Sequence, residues 1–161
     1  MFMKGSTLLT FGVLSVFASG CDVLRDDIAY SRFETVEGQV WADTTEYFFS
    51  FPVKDTRQKY EVTGVVRYVP DFGFKNLPVG VVSEGADVSN PQFETVVKNL
   101  PIKEEGTGRR SGNFVVREVR FPIEEGKTYD VPGIYTYSFR QLADTSRIGG
   151  VAEVGLVVRK L

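Results

Sequence analysis

Residues 60–68 read YEVTGVVRY, and this stretch decides the fold class of the chain. Apolar residues and one glycine occupy every second position, and they alternate with Glu61, Thr63, Val65 and Arg67. A period of two is typical of a β-strand, because successive side chains of a strand point to opposite faces of its sheet. Residues 70–73 read PDFG, a composition that predicts a turn after the strand.

The same period recurs along the chain from Ile28 onward. Val, Thr, Tyr and Phe dominate the periodic runs, which favours strands over helices, and no segment shows a helical stripe over about twelve residues. Further strands are predicted over residues 47–53, 77–82, 93–100, 114–123, 133–142 and 151–161. Residues 104–112 (EEGTGRRSG) and 124–130 are predicted polar loops, and Gly149-Gly150 suits a turn with positive φ. About seven or eight short strands predict an all-β fold, an antiparallel β-sandwich of jelly-roll-like form.

A short apolar segment precedes the strands and ends at the only cysteine of the chain. Residues 8–21 read LLTFGVLSVFASGC, with Lys4 upstream and small residues directly before Cys21. The segment is short for a membrane span and lacks a basic stop-transfer flank. We predict a lipoprotein signal peptide over residues 1–20, cleaved before Cys21; the alternatives are an ordinary cleaved signal and an uncleaved anchor. Cys21 would then carry a diacylglyceryl group and usually a further acyl chain such as palmitate, and more than one chain anchors a protein stably.

The chain that remains after cleavage has the length of one domain. Residues 21–27 form the lipidated cysteine with an acidic tether, and residues 28–161 form the β-sandwich domain. Acidic residues beside a lipidated cysteine are compatible with retention at the inner membrane and with export to the surface. We expect an envelope protein anchored in a membrane, and we favour the outer membrane over the inner one.

Little in the sequence points to catalysis. The chain has no histidine, which excludes histidine triads and histidine zinc sites. The carboxylate pairs Glu104-Glu105 and Glu124-Glu125 lie in predicted loops, where solvated charge is more common than a glycosidase acid/base couple. No calcium-loop motif is present. We therefore predict no enzyme, no cofactor, no metal and no small-molecule substrate. The formal net charge of −2 gives no electrostatic reason to expect nucleic acid or a polybasic membrane-binding face.

Aromatic and arginine side chains are the remaining candidates for binding. Tyr135, Tyr137 and Phe139 share one face of a predicted strand, which favours the core. Trp41 lies outside a clean alternation; it is either a platform for a sugar ring or a plug that covers an edge, and we favour the plug. Arg109-Arg110 either binds an acidic partner or lies in a solvated loop, and we favour the loop. Arg140 alternates away from the aromatic face and is placed to pair with a carboxylate across the sheet.

Several short segments in the same order resemble one family. They are Trp41-Ala42-Asp43, the strand at 47–51, Arg67, Asn76-Leu77, Arg120-Phe121-Pro122, GIYTY at 133–137, FRQ at 139–141, GV at 150–151, VGL at 154–156 and Arg159-Lys160. Together with the N-terminal lipobox they resemble the GldH family of gliding-motility lipoproteins of the Bacteroidetes. Residues 83–112 depart from the family pattern.

The resemblance implies a non-enzymatic envelope lipoprotein that acts as an assembly or scaffold component associated with gliding motility or type IX secretion machinery. Its partners would be the membrane, through Cys21, and an envelope protein complex. The alternative is a surface glycan-binding lipoprotein with a jelly-roll fold. A row of coplanar exposed aromatic side chains on one sheet would favour glycan binding, whereas a flat apolar or mixed patch without such a row would favour a protein partner.

Overall fold

A computed structural model describes residues 27–102, 109–111 and 114–161. The predictions for the signal peptide, Cys21, most of the tether and Glu104-Glu105 lie outside these residues. In the described part of the chain the strands are β1 (Ile28–Thr35), β2 (Val40–Ala42), β3 (Glu46–Val53), β4 (Tyr60–Tyr68), β5 (Asn76–Glu84), β6 (Phe93–Pro101), β7 (Arg109–Ser111), β8 (Phe114–Lys127), β9 (Gly133–Gln141), β10 (Arg147–Gly149) and β11 (Val151–Lys160). No helix in these ranges is long and apolar enough to cross a membrane.

Two four-stranded antiparallel sheets form a sandwich. Sheet I has the order β1-β11-β4-β8, and the short β7 extends it beyond β8; sheet II has the order β3-β9-β5-β6. The chain passes between the sheets in the strand order of a jelly roll, which confirms the predicted fold. A two-stranded ribbon of β2 and β10 lies apart from both sheets.

Each of the seven predicted strands agrees with an observed strand to within two residues at each end, with one exception, whereas β1, β2, β7 and β10 have no predicted counterpart. β8 continues to Lys127, through residues predicted to be a polar loop, because Glu124 and Lys127 still pair with Val62 and Tyr60 of β4. The predicted loop 104–112 is also corrected in part: β7 pairs with the start of β8. The end of β8 and the strand β7 both pair through their backbones without an alternation of apolar side chains. A hydrophobic pattern in the sequence therefore does not predict either segment.

The core lies between the sheets and is rich in aromatic rings. Phe49 and Phe51 of β3 and Tyr137 and Phe139 of β9 are buried there, as the period of two predicts. The ring of Phe121 in β8 lies in the space that a side chain at position 64 would fill. Because Gly64 of β4 has no side chain, the ring can pack directly over that strand. The largest fully buried side chains are Trp41, Tyr137, Phe49, Phe51, Phe139, Leu77, Leu100, Ile148, Leu156, Gln141, Val36 and Val53.

Trp41 closes one end of the sandwich. Its side chain is fully buried, its indole N–H donates to the Thr45 carbonyl at 3.1 Å, and its ring meets that of Tyr47 edge-on at 5.6 Å. The opposite position on the ribbon is Ile148, which is also fully buried. Trp41 is therefore a plug, and its interpretation as a sugar platform is wrong. Gly150, with φ of 91°, makes the turn between β10 and β11.

Candidate functional site

The outer face of sheet I is covered by its own side chains. Arg67 donates to Glu118 at 2.9 Å and to Glu153 at 2.8 Å, and its guanidinium lies 3.9 Å above the ring of Phe33. That ring in turn fills the space over Gly155. Burial raises the pKa of the Glu118 carboxyl, but hydrogen bonds from Arg67 and Arg120 outweigh it and hold the pKa below its usual value. The charges on this face are satisfied within the domain, which makes it a poor surface for a partner.

The outer face of sheet II differs, and its residues follow from the strand register. Three rows cross the four strands: Glu46, Arg140, Gly80 and Val97; Phe48, Ser138, Val82 and Thr95; Ser50, Thr136, Glu84 and Phe93. The first of each row lies on β3 and the last on β6. Side chains at these positions of β3, β9 and β5 point away from the core, because the residues between them are buried or half-buried, and the pairing with β5 places the β6 positions on the same face.

Glu46 and Arg140 form an ion pair toward the β3 edge of this outer face. The Ser138 hydroxyl donates to one oxygen of Glu46 at 2.6 Å, and the Arg140 guanidinium donates to the other at 3.3 Å. The side chain of Arg140 is 52% exposed, that of Glu46 only 25%. The predicted pairing of Arg140 with a carboxylate across the sheet is confirmed. Because Glu46 is held by two donors, Arg140 keeps a defined orientation and still offers hydrogen-bond donors to solvent.

Exposed apolar side chains surround this pair. Phe48 is 59% and Val97 58% exposed, and Leu142, at the end of β9, is 44% exposed. Leu142 lies over Gly80, where the missing side chain leaves room for it, and so comes next to Val97 in the first row. Phe93 is also exposed, but it lies on β6 while Phe48 lies on β3, three strand spacings or about 14 Å away. Among the described residues, the outer face of sheet II is thus a mixed apolar and polar patch without a row of aromatic side chains.

A cleft of about 430 Å³ opens at one end of the sandwich, where β8 leads into β9 and β5 into β6. The hydroxyls of Tyr129 and Tyr137 at its inner side are hydrogen-bonded to each other at 2.9 Å, and burial raises the pKa of both. Lys127 lies 3.8 Å from Glu124 and 4.0 Å from Glu94. Tyr135, predicted to belong to the core, is only partly buried and lines this cleft.

The structure brings few of the predicted chemical groups together. Glu124 is half-buried and paired with Lys127, whereas Glu125 is exposed, so this pair does not form a matched acid/base couple. Arg109 and Arg110 belong to β7 rather than to a loop. Within residues 27–102, 109–111 and 114–161, no three His, Cys, Asp or Glu side chains are grouped as they would be to hold a metal ion.

The outer face of sheet II is a candidate site that the sequence patterns do not predict. Part of its signal was present, because Phe48 occupies the polar phase of its strand between Glu46 and Ser50, whereas neither phase of β6 is clearly polar or apolar. An apolar residue at an outward position indicates a surface that another molecule covers, but only when several such positions fall on one sheet. That grouping depends on the pairing of β3, β9, β5 and β6, which a period of two does not specify.

Comparison with known proteins adds one finding. The family model described as GldH lipoprotein matches residues 28–158, which span the described sandwich nearly from end to end. No curated protein and no solved structure matches the chain.

Proposed function

Because the chain belongs to the GldH lipoprotein family, we propose that it is a lipid-anchored, non-enzymatic scaffold component of an envelope protein complex of the gliding-motility or type IX secretion type. One observation carries the proposal of a protein partner, namely the exposed mixed patch on the outer face of sheet II. The core of a protein interface is typically depleted of charge and enriched in aromatic residues and arginine. Phe48, Val97 and Leu142 beside the oriented Arg140 have this composition.

The contrast between the two outer faces supports this choice. A partner that covered sheet I would meet Arg67 and Glu118, whose charges already satisfy one another. On sheet II, a partner would remove the exposed apolar surface of Phe48 and Val97 from water at about 25 cal/mol per Å², and it would meet an Arg140 side chain that is still half exposed. The glycan-binding alternative has less support, because Trp41 is buried and the two exposed phenylalanines are far apart.

The membrane anchor that we propose is a lipid on Cys21 after removal of residues 1–20. Residues 21–27 then form the tether and residues 28–161 the domain, held in the cell envelope, with the outer membrane favoured. Membership of a lipoprotein family supports this assignment. Cys21→Ser removes the sulfur that accepts the diacylglyceryl group, so we expect the variant to leave the membrane fraction or to accumulate uncleaved. An unmodified Cys21 thiol in the intact mass of the native protein would refute the anchor.

Site-specific photocrosslinking in native membranes tests the partner surface. A photoreactive amino acid at Val97 or Phe48 should give the same discrete crosslinked protein, whose mass spectrum names the partner. The matched control is Val88, which is 95% exposed on the loop between β5 and β6. Arg140→Glu should abolish the crosslink from Val97, because it places two carboxylates against each other in the patch. Equal crosslinking from Val88 and Val97, or crosslinks unaffected by Arg140→Glu, would contradict a role for the outer face of sheet II.

A further inference from the structure

The end of the sandwich that holds Asp27 includes both the β3–β4 loop and the cleft. The Asp27 carbonyl accepts the backbone N–H of Lys160 at 2.7 Å, and its carboxylate accepts bonds from Arg159 at 2.9 and 2.6 Å. In the adjoining strands, Tyr60 at the start of β4 pairs with Lys160 on one side and with Lys127 of β8 on the other. One row across sheet I therefore contains the start of β1, the end of β11, the start of β4 and the end of β8.

One corner of this end is basic. The loop between β3 and β4, residues 54–59, reads KDTRQK. It is fixed to the end of β11, because the Leu161 N–H donates to the Lys59 carbonyl at 3.0 Å and the Gln58 amide donates to the carbonyls of Lys59 and Leu161, both at 2.9 Å. Four exposed cations, called the basic corner from here on, lie on these two segments: Lys54, Arg57, Lys59 and Lys160. Arg57 pairs with Asp55 at 3.2 Å, and no acidic side chain of the described residues forms an ion pair with the three lysines.

The opposite corner is acidic. The residues that line the cleft include five carboxylates and a single cation, Lys127; the carboxylates are Glu84, Asp87, Glu94, Glu124 and Asp130. In sheet II, β3, which leads into the basic loop, lies two strand spacings from β5 and three from β6, so Glu84 and Glu94 are about 10–14 Å from it. In sheet I, Glu124 and Lys127 of β8 are only one spacing, about 5 Å, from the start of β4. The small net charge of the chain thus conceals a separation of charge across this one end of the domain.

We propose that the basic corner rests on anionic phospholipid headgroups and so sets the tilt of the domain on its membrane. The inference depends on the lipid anchor proposed for Cys21. Six residues lead from Cys21 to Asp27, and a chain of that length reaches at most about 20 Å. A tether of this length lets the basic corner reach the surface, where a negative potential attracts lysine and arginine within about one Debye length. The same potential repels the carboxylates of the cleft, so both corners favour one tilt, with the cleft raised from the membrane.

The test uses the full-length protein purified from membranes and placed in vesicles of phosphatidylcholine with or without phosphatidylglycerol. A cysteine introduced at Thr56, in the β3–β4 loop, takes a fluorophore, while Cys21 is unreactive when its sulfur carries lipid. A second label at Thr44, at the other end of β3, reports the far end of the domain. Headgroup-bound quencher should quench the label at position 56 and not the label at position 44. This difference should require phosphatidylglycerol and disappear at about 1 M salt, where the Debye length is about 3 Å.

Charge reversal identifies the residues responsible. The triple change Lys54→Glu, Lys59→Glu and Lys160→Glu should abolish the quenching at position 56. The matched control, Lys75→Glu with Arg147→Glu, changes exposed cations at the opposite end of the sandwich and should leave it intact. Equal quenching at positions 56 and 44 in a protein that floats with phosphatidylcholine vesicles would overturn the inference and leave the anchor standing. Failure of the protein to float with phosphatidylcholine vesicles would refute the lipid anchor. If it also failed to bind phosphatidylglycerol vesicles, the proposed contact between the basic corner and anionic headgroups would be refuted as well.

Discussion

Truncation of Phe139 to alanine should destabilise the domain by about 4–5 kcal/mol, in the upper part of the range of about 3–5 kcal/mol for buried phenylalanines. The Phe139 side chain is fully buried, and its ring centroid lies 5.3 Å from that of Phe49 and 5.7 Å from that of Phe121. Phe121 is held against the backbone of Gly64, so it has little freedom to move into the space that the lost ring leaves. A cavity that does not collapse keeps most of its cost, which is why we expect the upper half of the range.

Urea unfolding followed by tryptophan emission measures this loss. Trp41 is the only tryptophan and is fully buried, so its emission shifts to the red when the core opens. Phe48→Ala is the matched control, because Phe48 lies on the neighbouring strand but points outward and is 59% exposed. Its change should stay within about 0.5 kcal/mol. If Phe139→Ala costs no more than Phe48→Ala, the side chains of β9 face the other way and the register is wrong by one residue.

Three further predictions use the same unfolding assay. Tyr129→Phe should cost about 1–3 kcal/mol, because it leaves the buried hydroxyl of Tyr137 without its partner, whereas the double change to phenylalanine should cost less than the sum of the two single changes. The pKa of Glu118 is lower in the folded protein than in the unfolded chain, so its carboxylate stabilises the fold fully above the unfolded pKa of about 4.3, and this stabilisation is lost as the pH falls through the folded pKa. Glu118→Gln should therefore remove the part of the acid-induced loss of stability that Glu118 causes, without altering the part that other carboxylates cause. Gly64→Ala should destabilise the domain by about 1–3 kcal/mol or more through overpacking, while Gly149→Ala, which meets open space, should not show this penalty.

Local patterning predicts strands and the buried face of each strand well. The stretch from Tyr60 to Tyr68 is a strand from its first residue to its last, and Tyr137 and Phe139 lie in the core as their period indicates. These results follow because burial of one face is encoded by neighbouring residues in one strand. For the same reason the pattern predicts the correct face for Arg140, whose partner is a carboxylate directly across the sheet.

Features that depend on more than one strand were not predictable from the sequence. Phe48 and Val97 form part of one surface only because β3 and β6 share a sheet, and the basic corner exists only because the β3–β4 loop meets the end of β11. Trp41 lacked an alternating context, so its burial depends on the ribbon that brings Ile148 opposite it. Each of these positions required the jelly-roll strand order, which the period of two leaves open.

The pairing of β1 with β11 has a mechanical consequence for a domain held by its N-terminal side. Tension along the tether enters at Asp27 and runs along the axis of β1, because the chain joins this strand at its end. β1 and β11 are joined by seven registered residue pairs, and a pull in this direction loads them together in shear instead of opening them one after another. The ion pair between Asp27 and Arg159 lies where the force enters. It would be displaced together with the first paired residues of β1 and β11. The strand nearest the proposed anchor is therefore attached in the geometry that resists extraction best.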